Sequence, residues 1–496
     1  MHRARIASSR LSRLGSKCFE SKLPRLQSPL IRAAASFEPS RSRTMQFSTT
    51  TTRSTDAKSL QDLYDTAGPH VHPALGRITE GVMTKGHGSY VDYSDGRRYL
   101  DFTCGIGVTN LGHAHPKVSG AAAEQCMNLV HSQCSIALHE PYLRLIEGLI
   151  PIMPDPSLDS FFFWNSGSEA VEGAIKMARS VTGKQNIISM QGAYHGRTYG
   201  AMAVTKSKTI YSEGTAPLMP GVFTIPYPYW HQCGLPRDTP TEDLTAHCLN
   251  QLDLLLKQQT APQDTAAIII EPVLGEGGYV PAPSAFLQGL REVCTQNDIL
   301  LIIDEVQSGM GRTGDYWAIS ESGVRPDILL TAKGLGNGFP ISGIITRTEI
   351  SSKMKKGSMG GTYAGNAVSC AAAVEVLKTF KRENVLVNVK QREKELFSAL
   401  KAVQADQGVK GLIWDVRGKG LMVAVEFAKN ERGKESVPKD MSKRVAQKCI
   451  DKGMLILTTS VFEVIRFIPP LNITKEDMAK GCQIFAEAVK EVIREG

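Results

Sequence analysis

Features that would mark a membrane protein, a disulfide-rich protein or a zinc protein are missing from this 496-residue sequence. No apolar run reaches the roughly 20 residues of a membrane-spanning helix, and the longest candidates, such as residues 299–303, have the length of a strand. The ten cysteines include no pair separated by two residues, so we expect reduced thiols of an intracellular compartment. His113 and His115 have no third or fourth ligand at a suitable spacing, so we expect no metal site.

Acidic residues are nearly absent from the first 53 residues, where only Glu20 and Glu38 accompany nine arginines and two lysines. This composition is typical of mitochondrial transit segments, so we predict a targeting segment over residues 1–53 and a location in the mitochondrial matrix. The alternative is a disordered basic tail that binds nucleic acid, but no aromatic or lysine-rich block accompanies the arginines. Without this segment 46 basic and 47 acidic residues remain, and the formal net charge changes from +8 to −1. The remainder therefore gives no indication of a nucleic-acid partner.

A predicted strand that ends in a lysine is the most informative segment. Residues 329–340 read LLTAKGLGNGFP, an apolar run followed by Lys333 and several glycines. A lysine at a strand end, among small residues, is well placed to form an imine with an aldehyde cofactor. A surface lysine in a turn is the simpler interpretation. It is weakened by a second apolar strand upstream, residues 299–304, which ends in Asp304.

Asp304 and a helix start add to this pattern. Open α/β sheets bind ligands at the carboxyl ends of their strands, where a carboxylate could keep the ring nitrogen of pyridoxal phosphate protonated. A turn or helix-capping aspartate is the alternative. Residues 161–164 predict another strand, followed by a tight turn and a helix through Arg179. The N–H groups of Gly167 and Ser168 at this start could bind a phosphate, although similar sequences also cap ordinary helices.

The alternation of strands and helices predicts an α/β fold whose large domain is a doubly wound, mainly parallel sheet. From about Asn366 the pattern changes to an amphipathic helix, a strand near residues 421–427 and a C-terminal helix from Lys475, which predicts a smaller α+β lobe. We assign residues 54–112 to the N-terminal segment of the small lobe, 113–365 to the large cofactor-binding domain and 366–496 to the C-terminal small domain.

One glycine motif favours a different class of protein. Residues 309–314, GMGRTG, match the GxGxxG pattern and follow a strand, so a dinucleotide-binding oxidoreductase is a formal alternative. The context argues against it, because Asp315, Tyr316 and Trp317 follow where a helix of small residues would begin.

The motifs taken together closely resemble those of the class III, fold-type I aminotransferases, which use pyridoxal 5'-phosphate. The resemblance extends from about Gly81 to the C-terminus. It depends on residues 165–179, 193–198, 270–278, 361–363 and the segments around Asp304 and Lys333, in the order of the family. It implies Lys333 and Asp304 as catalytic residues. The further cofactor contacts that it implies are Gly167, Ser168, Tyr194, Val306, Gln307 and, from the neighbouring subunit, Thr362, so a homodimer with shared active sites is expected.

The resemblance also implies which residues contact the substrate. Ile106 would form a pocket wall, and Arg197 would bind a distal carboxylate. Glu271 and Arg466 would form a switch that frees the arginine for the α-carboxylate of the acceptor, although a structural ion pair is the alternative. The expected reaction moves the amino group of a 4-aminobutyrate-like ω-amino acid to 2-oxoglutarate, which gives the semialdehyde and glutamate.

Two other functions remain possible at this point. The first is an ornithine or N-acetylornithine aminotransferase, which shares nearly every motif named above. The second is a non-catalytic binding protein with the same fold, against which the presence of Lys333, Asp304 and Gln307 counts.

Overall fold

The N-terminal part of the described chain contains a small sheet and four helices. The structure is a computed structural model that describes residues 59–409, 411–428 and 440–495. The segment 1–53, predicted to be a targeting segment, lies outside the described residues. The elements here are α1 (Leu60–Ala67), β1 (Met83–His87), β2 (Tyr90–Tyr93), β3 (Arg98–Asp101), α2 (Cys104–Gly107), α3 (Pro116–Asn128) and α4 (Glu140–Leu149). Strand β2 pairs antiparallel with both β1 and β3.

The middle of the chain forms the large sheet. Its elements are β4 (Ser160–Trp164), α5 (Gly167–Thr182), β5 (Asn186–Met190), α6 (Tyr199–Val204), β6 (Val222–Ile225), α7 (Trp230–Cys233), α8 (Thr241–Gln258), β7 (Thr265–Ile270), β8 (Val273–Leu274), β9 (Val280–Pro281), α9 (Ser284–Gln296), β10 (Leu300–Asp304), β11 (Ile328–Thr331), β12 (Ser342–Thr346) and α10 (Thr348–Ser351). Seven strands pair in the order β4-β12-β11-β10-β7-β5-β6. Only β12 runs antiparallel to its neighbours β4 and β11, so the prediction of a mainly parallel sheet is confirmed.

Both faces of this sheet are buried, as parallel sheets require. Strand β7 is buried along its whole length. Its residues Ile268 and Ile270 pack into the core on one face, and Ala267 and Ile269 pack into a second core on the other face. A strand covered on both sides reads as a continuous apolar run, which makes this strand easy to recognise in the sequence.

The C-terminal part forms an α+β unit. Its elements are α11 (Ala367–Arg382), α12 (Val385–Ala405), β13 (Ile413–Lys419), β14 (Met422–Phe427), α13 (Met441–Asp451), β15 (Met454–Leu455), β16 (Leu457–Thr459), β17 (Val464–Phe467) and α14 (Lys475–Glu495). Four strands pair in the order β13-β14-β17-β16, and β15 joins β3 in a parallel pair. The N-terminal strands are thus continuous with the C-terminal part, while the division into domains at residues 112 and 365 stays a prediction.

The GMGRTG segment has a structural role in this fold. Arg312 is buried, and its guanidinium donates hydrogen bonds to the backbone oxygens of Leu421 and Pro469 and to Asn110 Oδ1, at 2.6–3.1 Å. These bonds tie the segment to the C-terminal part of the chain. Within the described residues, no helix is long and apolar enough to cross a membrane.

Candidate active site

A cavity of about 300 Å³ lies at the carboxyl ends of two neighbouring parallel strands. Strand β10 ends at Asp304, and β11 ends two residues before Lys333. This is the edge at which open α/β sheets bind ligands. Eight residues predicted from the sequence line the cavity: Gly167, Ser168, Tyr194, Glu271, Asp304, Val306, Gln307 and Lys333.

Lys333 has a backbone conformation that is unusual for a lysine. Its φ is 45°, in the left-handed region, and such residues cost about 1–3 kcal/mol and are frequent in active sites. The next residue has to be glycine, because a Cβ at Gly334 would overlap the side chain of Asn110. Burial lowers the pKa of Lys333, an effect opposed by the charge of Glu276 and reinforced by that of Arg466. A lysine with a lowered pKa holds a larger fraction of the neutral, nucleophilic amine.

Two donors fix the carboxylate of Asp304. His195 Nδ1 donates to Oδ2 at 2.7 Å, and the backbone N–H of Val306 donates to Oδ1 at 3.0 Å. Burial alone would lower the pKa of His195, but the hydrogen bond and the charge of Asp304 outweigh burial and raise it. His195 was not predicted as a site residue. Its only signal in the sequence was its position beside Tyr194 in the AYHGRT motif.

The start of helix α5 forms a cradle for an anion. Ser166 caps the helix through a hydrogen bond from the backbone N–H of Glu169 at 3.3 Å. The N–H groups of Gly167 and Ser168 come first in the helix, have no intrahelical acceptor and line the cavity. A Cβ at Gly167 would crowd Val306 Cγ1 at 3.1 Å. Free N–H groups and the positive end of the helix dipole suit a phosphate.

Three further side chains surround the same space. Gln307 Oε1 accepts a hydrogen bond from the Tyr279 hydroxyl at 2.5 Å, so the N–H groups of the Gln307 amide remain to donate to a ligand oxygen. Tyr194 and Val306 both line the cavity, and an aromatic and a branched aliphatic side chain are suited to the two faces of a planar ring.

These groups fit pyridoxal 5'-phosphate. Lys333 offers an amine for the aldehyde, Asp304 offers a carboxylate for the ring nitrogen, and the start of α5 offers N–H groups for the phosphate. The orientation of Asp304 is fixed by His195, so its charge is in place before a ligand arrives.

Glu271 does not pair with Arg466, which corrects the sequence-based pairing. Its Oε1 accepts a hydrogen bond from the backbone N–H of Tyr194, and its Oε2 accepts one from the backbone N–H of Gly275, each at 2.9 Å. Burial raises the pKa of Glu271 to about 7, against an opposing effect of His195. Glu271 therefore joins the backbone of the Tyr194 motif to the loop between β8 and β9.

The carboxylate that pairs with Arg466 is Glu276, which lies in that loop. Arg466 Nη1 forms an ion pair with Glu276 Oε1, and the two residues are only 4% and 8% exposed. Burial opposes the ionisation of Glu276, but the charge of Arg466 outweighs it and lowers the pKa of Glu276. The choice between the two glutamates depends on the loop conformation, in which Gly278 and Tyr279 have φ of 130° and 56°.

Three predicted residues lie away from the cavity lining and from this ion pair. Ile106 is 45% exposed, and Val108 from the same turn lines the cavity instead. Arg197 lies at the outer end of Tyr194, to whose hydroxyl its Nε donates at 3.2 Å. Thr362 is exposed. The roles predicted for these three side chains stay predictions.

Known proteins with similar sequences and structures point to one family. The family described as Aminotransferase class-III matches residues 75–489. The 5-aminovalerate aminotransferase DavT of Pseudomonas aeruginosa is 38% identical over 420 residues, which cover 84% of this chain and 95% of that protein. The 4-aminobutyrate aminotransferase GabT of Escherichia coli is 38% identical over 400 residues, which cover 80% and 90%. A solved taurine:2-oxoglutarate aminotransferase from Bifidobacterium kashiwanohense has a TM-score of 0.82 at 28% identity and covers 88% of this chain and 99% of its own.

The prediction of a mitochondrial location is wrong. It was based on the composition of residues 1–53, whereas the similar curated relatives are enzymes of bacteria, which have no mitochondria. The family match begins only at residue 75. Many weakly hydrophobic, positively charged segments share the composition of a transit segment, so composition alone does not identify one.

The fold, the cavity and these similarities agree with one another. The match spans most of the chain, and the relatives that are 38% identical are aligned over at least nine-tenths of their own length. The protein belongs to the class III aminotransferases, enzymes that depend on pyridoxal 5'-phosphate.

Proposed function

We propose that this aminotransferase takes the amino group of an ω-amino acid such as 4-aminobutyrate and transfers it to 2-oxoglutarate, which yields the semialdehyde and glutamate. The observation that carries the proposal is the buried ion pair between Arg466 and Glu276, whose charges both shift the pKa of Lys333. Such a pair can serve two substrates in turn. The ion pair stays intact when the bound donor lacks an α-carboxylate, and it separates when the α-carboxylate of the acceptor replaces Glu276 as the partner of Arg466.

The state of Arg466 supports this exchange. The Nε–H group of Arg466 is buried and has no hydrogen-bond partner among the described residues. A guanidinium offers five donors in a fork that suits a carboxylate, so part of this capacity remains unused while Glu276 is bound. Since a lone buried charge is costly, Arg466 needs one carboxylate or the other at all times.

The positive charges of Arg197 and Lys208 favour acidic substrates. Arg197 has no carboxylate partner among the described residues, and its polar and aromatic neighbours are Tyr194 and Tyr211. Burial lowers the pKa of Lys208, and the charges of Arg466 and Arg197 add to that effect while Glu276 opposes it. The positive charges of Arg197, Lys208 and Arg466 thus outnumber the negative charge of Glu276 here, and we propose Arg197 as the group that binds the distal carboxylate.

The proposed roles of the other residues follow from their chemistry. The cofactor, when bound, supplies a ring that accepts electrons from the carbon next to the amino group. Lys333 accepts and returns the proton at that carbon, because its lowered pKa lets the amine act as base and then as acid. Asp304 keeps the ring nitrogen protonated, Gln307 donates to the ring hydroxyl, and Tyr194 and Val306 hold the ring between them. Ile106 would belong to the outer wall.

The names of three similar proteins support this choice of substrate. 4-Aminobutyrate and 5-aminovalerate, named for two relatives, carry a terminal amine and a carboxylate at the opposite end of the chain. Taurine, named for the structural neighbour, carries a sulfonate in the same place, and 2-oxoglutarate is named as its partner. All three donors lack an α-carboxylate, which is the case in which Arg466 has to remain paired with Glu276.

We further propose that the active protein is a homodimer in which Thr362 of one subunit reaches the phosphate site of the other. Thr362 and Tyr363 are exposed, and the ring of Tyr363 lies 5.4 Å from that of His131. Apolar side chains of the same region are exposed as well, among them Ile136 at 82%. An exposed apolar surface of this kind is suited to a second copy of the chain.

A donor screen tests the reaction. Purified protein is mixed with 4-aminobutyrate, 5-aminovalerate, β-alanine, ornithine or N-acetylornithine, and the visible absorption band of the lysine-bound cofactor is followed, with Lys333→Ala as the blank. We expect rapid loss of the band with 4-aminobutyrate or 5-aminovalerate and its return on addition of 2-oxoglutarate. A response to ornithine or N-acetylornithine alone would contradict the proposal.

A mixing experiment tests the shared site. The variants Lys333→Ala and Thr362→Ala are each impaired, but a hybrid dimer contains one site with both residues intact. We therefore expect activity to rise when the two variants are unfolded, mixed and refolded together, above the sum of the separately treated proteins. If Thr362 acts within its own subunit, no such gain will be observed.

A further inference from the structure

The backbone of Arg197 is fixed by helix α5. The N–H of Arg197 donates to Ser168 Oγ at 3.3 Å. The carboxylate of Glu172, also on α5, accepts hydrogen bonds from the Thr198 hydroxyl at 2.7 Å and from the N–H groups of Gly200 and Ala201 at 2.7 and 3.0 Å. Arg197 therefore starts from a rigid position at the beginning of α6.

The side chain of Arg197 is held by two tyrosines in different ways. Its Nε donates to the hydroxyl of Tyr194 at 3.2 Å, and its Cζ lies 4.4 Å from the ring centroid of Tyr211. The two rings contact each other edge to face, with centroids 5.2 Å apart and an interplanar angle of 74°. One tyrosine thus meets the edge of the guanidinium and the other meets its face.

We propose that Tyr211 is a positioning residue that sets the preference of the enzyme for donors with a distal carboxylate. The inference rests on the proposed role of Arg197 and extends it. The ring of Tyr211 holds the exposed guanidinium in one orientation. Because Nε of Arg197 donates to the Tyr194 hydroxyl, the two terminal nitrogens are left to donate to the substrate. Without the ring, Arg197 would sample other rotamers in solvent, and each binding event would have to order it again.

Tyr211 itself is well anchored. It ends a short 3-10 turn, Thr209–Tyr211, and the oxygen of Thr209 accepts hydrogen bonds from the N–H groups of Ser212 and Glu213 at 3.0 and 2.9 Å. The hydroxyl of Tyr199 on α6 donates to the oxygen of Thr215 at 2.9 Å, which ties this segment to the helix that follows Arg197. The ring and the arginine are therefore attached to the same support.

The interaction depends on the ring face and not on an ionised hydroxyl. Burial raises the pKa of Tyr211, and the charge of Glu276 adds to that effect, so the phenol stays neutral at physiological pH. A cation over a neutral aromatic face is attracted by the ring quadrupole, which phenylalanine also possesses. We therefore expect phenylalanine at position 211 to preserve the interaction with Arg197, whereas leucine, which is apolar but has no π system, should not preserve it.

Two variants and two donors test the inference. We compare kcat and KM of wild type, Tyr211→Phe and Tyr211→Leu for 4-aminobutyrate and for butylamine, which lacks the carboxylate. Tyr211→Leu is expected to lose about three- to tenfold in kcat/KM for 4-aminobutyrate, mostly through KM, with little change for butylamine. Tyr211→Phe is expected to stay within about twofold of wild type. Tyr64→Leu, on the exposed helix α1, is the matched control and should leave kcat/KM unchanged for both donors.

The outcomes separate this inference from the proposed function. If wild type strongly prefers 4-aminobutyrate and Tyr211→Leu keeps that preference, the role of Tyr211 is refuted and the role of Arg197 stands. If kcat/KM for 4-aminobutyrate falls as much in Tyr211→Phe as in Tyr211→Leu, the hydroxyl of Tyr211 makes the contribution and the ring-face argument is refuted. If wild type does not distinguish the two donors, both the inference and the proposed function fail. The visible spectrum and unfolding temperature of each variant show that fold and cofactor are retained.

Discussion

Replacing Glu276 by glutamine should shift the enzyme from ω-amino acids towards α-amino acids. Glu276 and Arg466 are 8% and 4% exposed and pair directly, and removing one partner of a buried pair costs about 3–5 kcal/mol. In Glu276→Gln, Arg466 is buried without a carboxylate partner both in the free enzyme and with 4-aminobutyrate bound, so both states are destabilised by this amount. The α-carboxylate of glutamate would recover it, since that group takes the place of the missing carboxylate.

The size of the shift can be bounded from these figures. If glutamate recovers about 1.4–2.8 kcal/mol of the lost interaction, the ratio of kcat/KM for glutamate to that for 4-aminobutyrate rises about 10- to 100-fold. The assay measures kcat/KM for each donor. Glu426→Gln is the matched control, because Glu426 is likewise a buried partner of an arginine, Arg417, in the C-terminal sheet. Unlike Glu276, it is not among the charges that shift the pKa of Lys333.

We expect Glu426→Gln to lose stability without changing the ratio of the two donors. An unchanged ratio in Glu276→Gln, or a ratio that moves towards 4-aminobutyrate, would refute the account of the ion pair as a switch. A shift of equal size in both variants would show that it arises from loosening of the C-terminal sheet and not from the charge at position 276.

Three further changes have expected outcomes. Asp304→Asn should lower the single-turnover rate about 10- to 100-fold, because a charge-assisted hydrogen bond worth about 1.5–3 kcal/mol is lost, and a rate unaffected by this change would remove Asp304 from catalysis. Gly167→Ala should weaken cofactor binding, measured by equilibrium dialysis, because its Cβ would crowd Val306 at 3.1 Å. Gly120→Ala, whose Cβ has nothing within 4 Å, is the control and should bind normally. Burial raises the pKa of Glu271 to about 7 from an ordinary value near 4.5, so its contribution to stability is present below about pH 4.5 and is lost as the pH rises through about 7. Glu271→Gln should therefore show a free energy of unfolding that falls less steeply over this range in urea titrations, and an equal slope would contradict the assigned environment.

The parts of the fold that the sequence predicted well are those in which burial repeats regularly. Strand β10 and strand β7 are covered on both faces, so each reads as an unbroken apolar run with a clear end. The antiparallel direction of β12 was not predicted, because its five buried residues would look the same in either direction. The pairing of β15 with β3 joins segments about 350 residues apart in the chain, and no local pattern encodes such a contact.

The candidate site divides in the same way. Lys333, Asp304 and Gly167 could be placed from the sequence because each lies at a strand end or within three residues of one and its chemistry is specific. The partner of Arg466 could not be identified, because Glu271 and Glu276 are five residues apart in one segment. Which carboxylate meets the arginine depends on the conformation of the loop between β8 and β9, which no local sequence pattern encodes.

The hydrogen bond between His195 and Asp304 was missed for a related reason. The two residues are 109 positions apart and are brought together only because β5 and β10 both flank β7 in the sheet. A histidine beside a tyrosine gives no sign in sequence of which nitrogen will be buried or what it will meet. A prediction of this contact would have required the order of the strands.

Transfer of a labelled amino group tests the central claim most directly. The enzyme is incubated with 4-aminobutyrate that carries a heavy nitrogen isotope and with unlabelled 2-oxoglutarate, and the glutamate formed is analysed by mass spectrometry. The account predicts glutamate that carries the label in an amount equal to the semialdehyde produced, and none with Lys333→Ala. Semialdehyde without labelled glutamate, or label that enters only alanine when pyruvate is offered beside 2-oxoglutarate, would contradict it.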